Sequence, residues 1–100
     1  MKDQFPVSKG HILIIPYEHT ETWFIASEEV RLEMMLALSE LKVRLDKDYN
    51  PDGYNIGINC GEAAGQSVMH LHVHLIPRYQ GDVDVPRGGV RGVIPSKQTY

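Results

Sequence analysis

One hundred residues set the scale of a single domain, expected to span 1–100, which buries only about 60–68% of its unfolded surface and has a thin core. The apolar fraction of 42% and charged fraction of 23% are those of an ordinary water-soluble chain, and a formal charge of −3 argues against nucleic acid as a partner, since that needs a basic excess. Cys60 is the single cysteine, so no intrachain disulfide can form, and the longest apolar run, residues 12–15, is too short for a membrane span; with no leader-like start, a cytoplasmic protein is expected.

The first element is a β-branched run, His11-Ile-Leu-Ile-Ile-Pro16, read as a buried strand stopped by proline. Residues 17–26 form an irregular connection with a turn around Trp23, a packing residue. Ser27 is an N-cap candidate, and Glu28 and Glu29 complement the positive end of a helix. Val30, Met34, Leu38, Leu41 and Leu45 then recur at helical spacing on one face, until Asn50-Pro-Asp-Gly53 supplies turn chemistry. Such a helix is roughly 30 Å long and can cross a whole small sheet. Residues 54–59 alternate large apolar with small polar side chains, as a half-buried strand does. A loop of small residues follows over 60–67, with Cys60 read as a buried small residue. The clearest strand is 69–77, with Met69, Leu71, Val73 and Leu75 facing one way and His70, His72 and His74 the other. Beyond Arg78 the glycine- and proline-rich composition predicts an extended tail over 80–100.

Three histidines at period two on one strand face admit three readings: solvated side chains opposite a core, a metal site, or a catalytic row. For one ion the geometry is poor, because the Cα atoms of His70 and His74 lie about 13 Å apart on a straight strand, and no carboxylate or cysteine pair stands beside them. No metal or cofactor is therefore expected. Neutral imidazole is a good nucleophile towards phosphorus, and its pKa leaves it largely unprotonated at neutral pH. Flanking histidines suit the rest of such a reaction, as proton sources and as hydrogen-bond donors to phosphoryl oxygens. The loop 61–67 offers backbone N–H groups suited to an anion.

His70-Leu-His72-Val-His74-Leu-Ile resembles the signature of the histidine-triad superfamily. Gly65-Gln66-Ser67 precedes it as in that family, and Pro6-Val-Ser-Lys-Gly-His11-Ile-Leu-Ile-Ile-Pro16 is similar to its second hallmark. The ending Leu75-Ile-Pro-Arg78 is closer to the dinucleoside-polyphosphate hydrolase branch than to the phosphoramidase branch. This resemblance implies an α+β fold, with an antiparallel sheet, one long helix across one face and the triad on the other. It also implies a purine nucleotide substrate cleaved at its α-phosphate, with a non-catalytic nucleotide-binding module as the alternative.

By position, the resemblance makes His72 the nucleophile, its second ring nitrogen oriented by the carbonyl of His70. His74 would bond the α-phosphate, Gly65, Gln66 and Ser67 would hold phosphate or leaving group, and Asn59 would lie near the same phosphate. His11 would buttress the triad, and Asp3 would hold the ribose hydroxyls. Members usually carry a strand hairpin before the position of Asp3, where this chain has only Met1 and Lys2. In some relatives a histidine near His19 joins a cysteine pair on zinc; the pair is absent here, and His19 is read as a surface residue. Arg78, Arg87 and Arg91 are either a clamp for distal phosphates or solvated partners of Asp82 and Asp84. A two-fold homodimer is expected, because Leu32, Met35 and Leu36 widen the apolar side of the helix and strand 54–59 has nothing to protect an edge.

Overall fold

The computed structural model describes residues 1–100. Its one long helix, α1, runs Glu28–Tyr49. Ser27 stands before it in extended backbone, and its Oγ accepts the Val30 N–H at 3.1 Å, a cap worth about 1 kcal/mol. At the other end Asn50 enters the left-handed region at φ 49° and gives its N–H to the Asp46 carbonyl, after which Pro51 cannot continue the helix. The apolar stripe faces inward as its spacing requires. Val30, Met34 and Leu45 are buried, and Leu38 and Leu41 are half-buried.

Three strands, β1 (Ile12–Ile14), β2 (Gly53–Gly57) and β3 (Val73–Arg78), form an antiparallel sheet in the order β1-β3-β2. Leu13 pairs with His74 and Gly57 with the same His74, so the strand carrying the last triad histidine is the central one. The first residues extend the sheet beyond β1. Leu13 exchanges hydrogen bonds with Met1, and the Asp3 N–H reaches the His11 carbonyl.

β1 and β3 are shorter than their sequence patterns, each because of one backbone hydrogen bond. His11 is held in a turn by its N–H to the Ser8 carbonyl, so β1 starts one residue later. The segment 69–72 leaves the ladder because the Leu71 N–H goes to the Thr20 carbonyl at 2.7 Å, tying it to the connection before the helix. His70 and His72 thus precede β3, and only His74 lies within it. Pro77 sits in this central strand, buried, where a missing N–H would ordinarily cost a ladder bond. Its polar edge faces the side on which β1 has already ended, and Ser8 Oγ donates to its carbonyl at 2.7 Å. No strand partner is lost.

Alternation along β3 divides the two faces. Val73, Leu75 and Pro77 are buried on the helix side with Ile14, Ala26, Val30, Met34 and Leu71, and Trp23 packs against that cluster. His74, Ile76 and Arg78 point to the opposite face. The expected extended tail is corrected by two 3₁₀ turns, Gly89–Val93 and Pro95–Lys97, which fold the end of the chain into a compact loop. Only 11 of 100 residues are buried, so the core is as thin as the chain length implies. No helix is long and apolar enough to cross a membrane.

Candidate active site

The site begins at a glycine. Gly10 occupies the turn before β1 at φ 89°, and a Cβ there would meet the Tyr49 ring at 3.1 Å and Leu45 at 3.2 Å. This close turn against α1 places His11, 3% exposed, beneath the triad. The backbone N–H of Val7 points at His11 Nδ1 from 3.2 Å. Because that donor is fixed, Nδ1 must accept, and neutral His11 carries its proton on Nε2.

The remaining protons follow in sequence. His11 Nε2 lies 2.9 Å from His74 Nδ1 and 3.3 Å from Asp3 Oδ2. Donation from His11 makes His74 Nδ1 the acceptor, so neutral His74 carries its proton on Nε2, the ring edge away from His11. His72 is set independently: its Nδ1 donates to the His70 carbonyl at 2.9 Å, which leaves an unshared pair on Nε2. The His72 and His74 rings meet edge to face, 5.2 Å between centres. Burial, with the neighbouring His72 and His11, holds His74 below the usual histidine pKa, while Asp3 acts in the opposite direction. The outcome is an open Nε2 lone pair on His72 beside a hydrogen-bond donor on His74.

His70 takes a different place from the one expected of a flanking catalytic side chain. Its imidazole turns to the Pro16 carbonyl at 3.2 Å and to His19 Nδ1 at 3.4 Å, and only its backbone carbonyl serves His72. His19 is exposed, as read from the sequence, and its ring stands edge to face against His70 at 5.0 Å. No sequence signal links the two, because 51 residues separate them.

Asp3, His11 and His74 bring three ligand-type atoms within 4.8 Å of one another. With Val7 occupying Nδ1, however, the His11 atom that faces the other two bears a proton. The trio is built as a hydrogen-bond junction and is a poor cation shell. Asp3 completes it from the first residues, its Oδ1 taking the Phe5 N–H at 2.8 Å.

Beside His72 opens a cavity of about 430 Å³, a volume suited to a small organic ligand. Met1, Phe5, Leu13, Ile15 and Val68 give it apolar walls, and Lys2, Asp3, Gln4, His70 and His72 give it polar ones. In the adjoining loop, Gly65 turns the chain at φ 95°, Asn59 lies beside it half-buried, and Ser67 is exposed. Gln66, expected at the phosphate, points inward and is 2% exposed. Its Oε1 accepts the Gly61 N–H at 2.8 Å, and its Nε2 donates to the carbonyls of Glu21 and Val68. The amide shapes the loop, and both of its N–H groups are already committed, leaving none to donate to a phosphate. Cys60 is half-buried rather than buried. Arg78 is likewise committed, with Nε and Nη2 on Asp82 and Nη1 on Asn55 Oδ1, which removes it from any phosphate clamp.

Comparison with known proteins identifies the family. Residues 1–81 match the HIT domain family. An uncharacterised HIT-like protein of Saccharolobus solfataricus is 33% identical over 98 residues, 98% of this chain and 70% of that protein. An AP-4-A phosphorylase of Mycobacterium tuberculosis is 34% identical over 82 residues, 80% of this chain and 42% of that protein. A solved structure described as a hypothetical histidine triad nucleotide-binding protein, from Sulfolobus tokodaii, superposes with a TM-score of 0.77 at 36% identity, over 80% of this chain and 54% of that one. The chain thus spans between about half and 70% of the length of the first relatives it matches. Sequence and fold agree: the chain belongs to the HIT family.

Proposed function

We propose that this chain cleaves nucleotides at the α-phosphate, taking dinucleoside polyphosphates or nucleoside phosphoramidates, through a transient nucleotidyl group on His72. The observation that carries this reading is the 2.9 Å bond from His72 Nδ1 to the His70 carbonyl, which fixes the unshared pair on Nε2. That pair attacks the α-phosphorus and forms a P–N bond. The P–O or P–N bond to the leaving group breaks with its electron pair, and a basic leaving group takes up a proton from solvent, which the water of the next step returns. Water then attacks the same phosphorus, returns the electron pair to His72 and releases a nucleoside monophosphate.

The other groups act by position. His74 Nε2–H donates to a phosphoryl oxygen whose charge grows during attack. Asn59, Ser67 and the backbone at Gly65 lie on the phosphate side of the loop, while the purine base packs on the apolar walls and Asp3 accepts from the ribose hydroxyls. Enzyme quenched during turnover of α-phosphate-labelled substrate is expected to carry label that survives base and is lost in acid, as a phosphoramidate does. Label on Ser67 or Cys60 would overturn the assignment of the nucleophile. Nucleotide binding with no labelled protein would leave a nucleotide-binding module instead.

A homodimer belongs to the same reading. β2 lies at the edge of the sheet with its outer side unpaired, and Leu32, Met35, Leu36 and Ile56 are all more than half exposed. Pairing β2 with its two-fold copy covers that edge, lays the helices side by side and closes at two. Light scattering at micromolar concentration should give about twice the 11.3 kDa chain mass. A monomer persisting at high concentration would remove the dimer from this reading. We further propose a cytoplasmic setting and no nucleic-acid partner, in keeping with the net charge of −3.

A further inference from the structure

The C-terminal loop presents two arginines for which the catalytic chemistry of His72 has no use. Gln98 Nε2 donates to the carbonyls of Val85 and Arg87, and a Cβ on Gly88 would collide with the Gln98 carbonyl, so at φ 92° the closure requires glycine. The loop is seated on the sheet through Gly89, whose Cβ position lies 3.6 Å from Asn55 Nδ2. Asn55 pairs with Ile76, and Gly57, two residues along β2, pairs with His74. The loop therefore rests on the face that carries His74, roughly 7 Å along β2 from the position opposite that histidine.

On this loop the Arg87 guanidinium carbon lies 5.2 Å from the centre of the Tyr100 ring and that of Arg91 lies 4.8 Å from it. Neither has a carboxylate partner; the three ion pairs use Asp3, Asp46 and Asp82. One ring thus holds two cations within about 10 Å of each other, and it attracts each without neutralising either. Both side chains are exposed, on a chain whose net charge is negative. A polyanion would relieve their repulsion, and the planar guanidinium fork matches phosphate oxygens in pairs.

We propose that Arg87 and Arg91, backed by Tyr100, form an anion site for a chain of linked phosphates, the part of a dinucleoside polyphosphate distal to the α-phosphate attacked by His72. The catalytic half of this inference rests on the His72 reading above, and the binding half does not. Linked phosphates also occur as free inorganic polyphosphate, so the test has two arms on the full chain. Arg87→Gln and Arg91→Gln, singly and together, are compared with the corresponding Arg→Lys changes. One arm measures inorganic tripolyphosphate binding by calorimetry at low salt. The other measures kcat/KM for diadenosine tetraphosphate against adenosine 5′-phosphoramidate, which has no distal phosphate.

The double Gln variant should bind tripolyphosphate roughly tenfold more weakly and lose roughly tenfold in kcat/KM on the tetraphosphate, with the phosphoramidate held within about twofold. The Lys variants should keep most of the charge effect, and both losses should shrink at high salt. Unchanged tripolyphosphate binding in the double Gln variant overturns the site. Weakened tripolyphosphate binding with unchanged tetraphosphate kinetics overturns its part in the reaction and assigns it to free polyphosphate. Equal losses on both substrates also overturn it, since they mark a structural loop. Should the wild-type chain turn over neither substrate, the His72 reading fails while the calorimetric arm still decides this one.

Discussion

His72→Ala is expected to abolish turnover, by on the order of a thousandfold or more in kcat, while nucleoside monophosphate binding stays within about tenfold. The two effects separate because the His72 ring is held from its far side. Its Nδ1–H is engaged by the His70 carbonyl, and the ring is one of five polar residues lining the cavity, whose apolar walls are Met1, Phe5, Leu13, Ile15 and Val68. Removing it deletes the attacking electron pair and little of the surface that grips base and ribose. His74 cannot replace it, because its Nδ1 accepts from His11 and its Nε2 carries the proton. The measurements are single-turnover rate and equilibrium binding on one preparation. Near-wild-type hydrolysis in this variant would sink the mechanism, and loss of both rate and binding would mean that His72 serves the ground state as much as the reaction.

The parts legible in the sequence are those written in local periodicity. The helix ends follow from Ser27 and from Asn50 with Pro51, and the two faces of β3 from alternation, because each depends on neighbours within a few residues. The His70 carbonyl bond to His72 is also local, two residues apart, and the family motif carries it. What the pattern hides are contacts made by distant backbone. Nothing near His11 announces that Val7 fixes its proton, and nothing near Gln66 announces that the Glu21 carbonyl, 45 residues away, claims its amide. The length of β3 is hidden for the same reason: alternation continues through 69–72, yet Thr20 draws Leu71 out of the ladder. The tail read as extended because glycine and proline exclude long helices, whereas here they permit the tight closure on Gln98.

The second large effect belongs to His11, a positioning residue. His11→Leu, at a buried position, removes the acceptor of the Val7 N–H and the donor to His74 Nδ1, both part-buried bonds. Leaving such groups unpaired costs about 1–3 kcal/mol of stability. Freed from its donor, His74 can place its proton on either nitrogen, and kcat should fall on the order of a hundredfold with a smaller change in KM. His11→Gln should recover much of both losses, because an amide oxygen can accept from Val7 while the amide nitrogen donates to His74. The pH dependence gives a readout that a purely structural role would not move. His74 titrates below the ordinary histidine value of about 6.5, so between that value and its folded one the unfolded chain binds more protons. Stability from this group is therefore complete above about pH 6.5 and is lost as the pH falls towards the folded pKa. His11 is one cause of the depression, so its removal lets the His74 pKa rise, moves the acid limb of activity to higher pH and flattens the acid loss of stability. A Leu variant with the same acid limb as wild type would show that His11 does not set the protonation of the site.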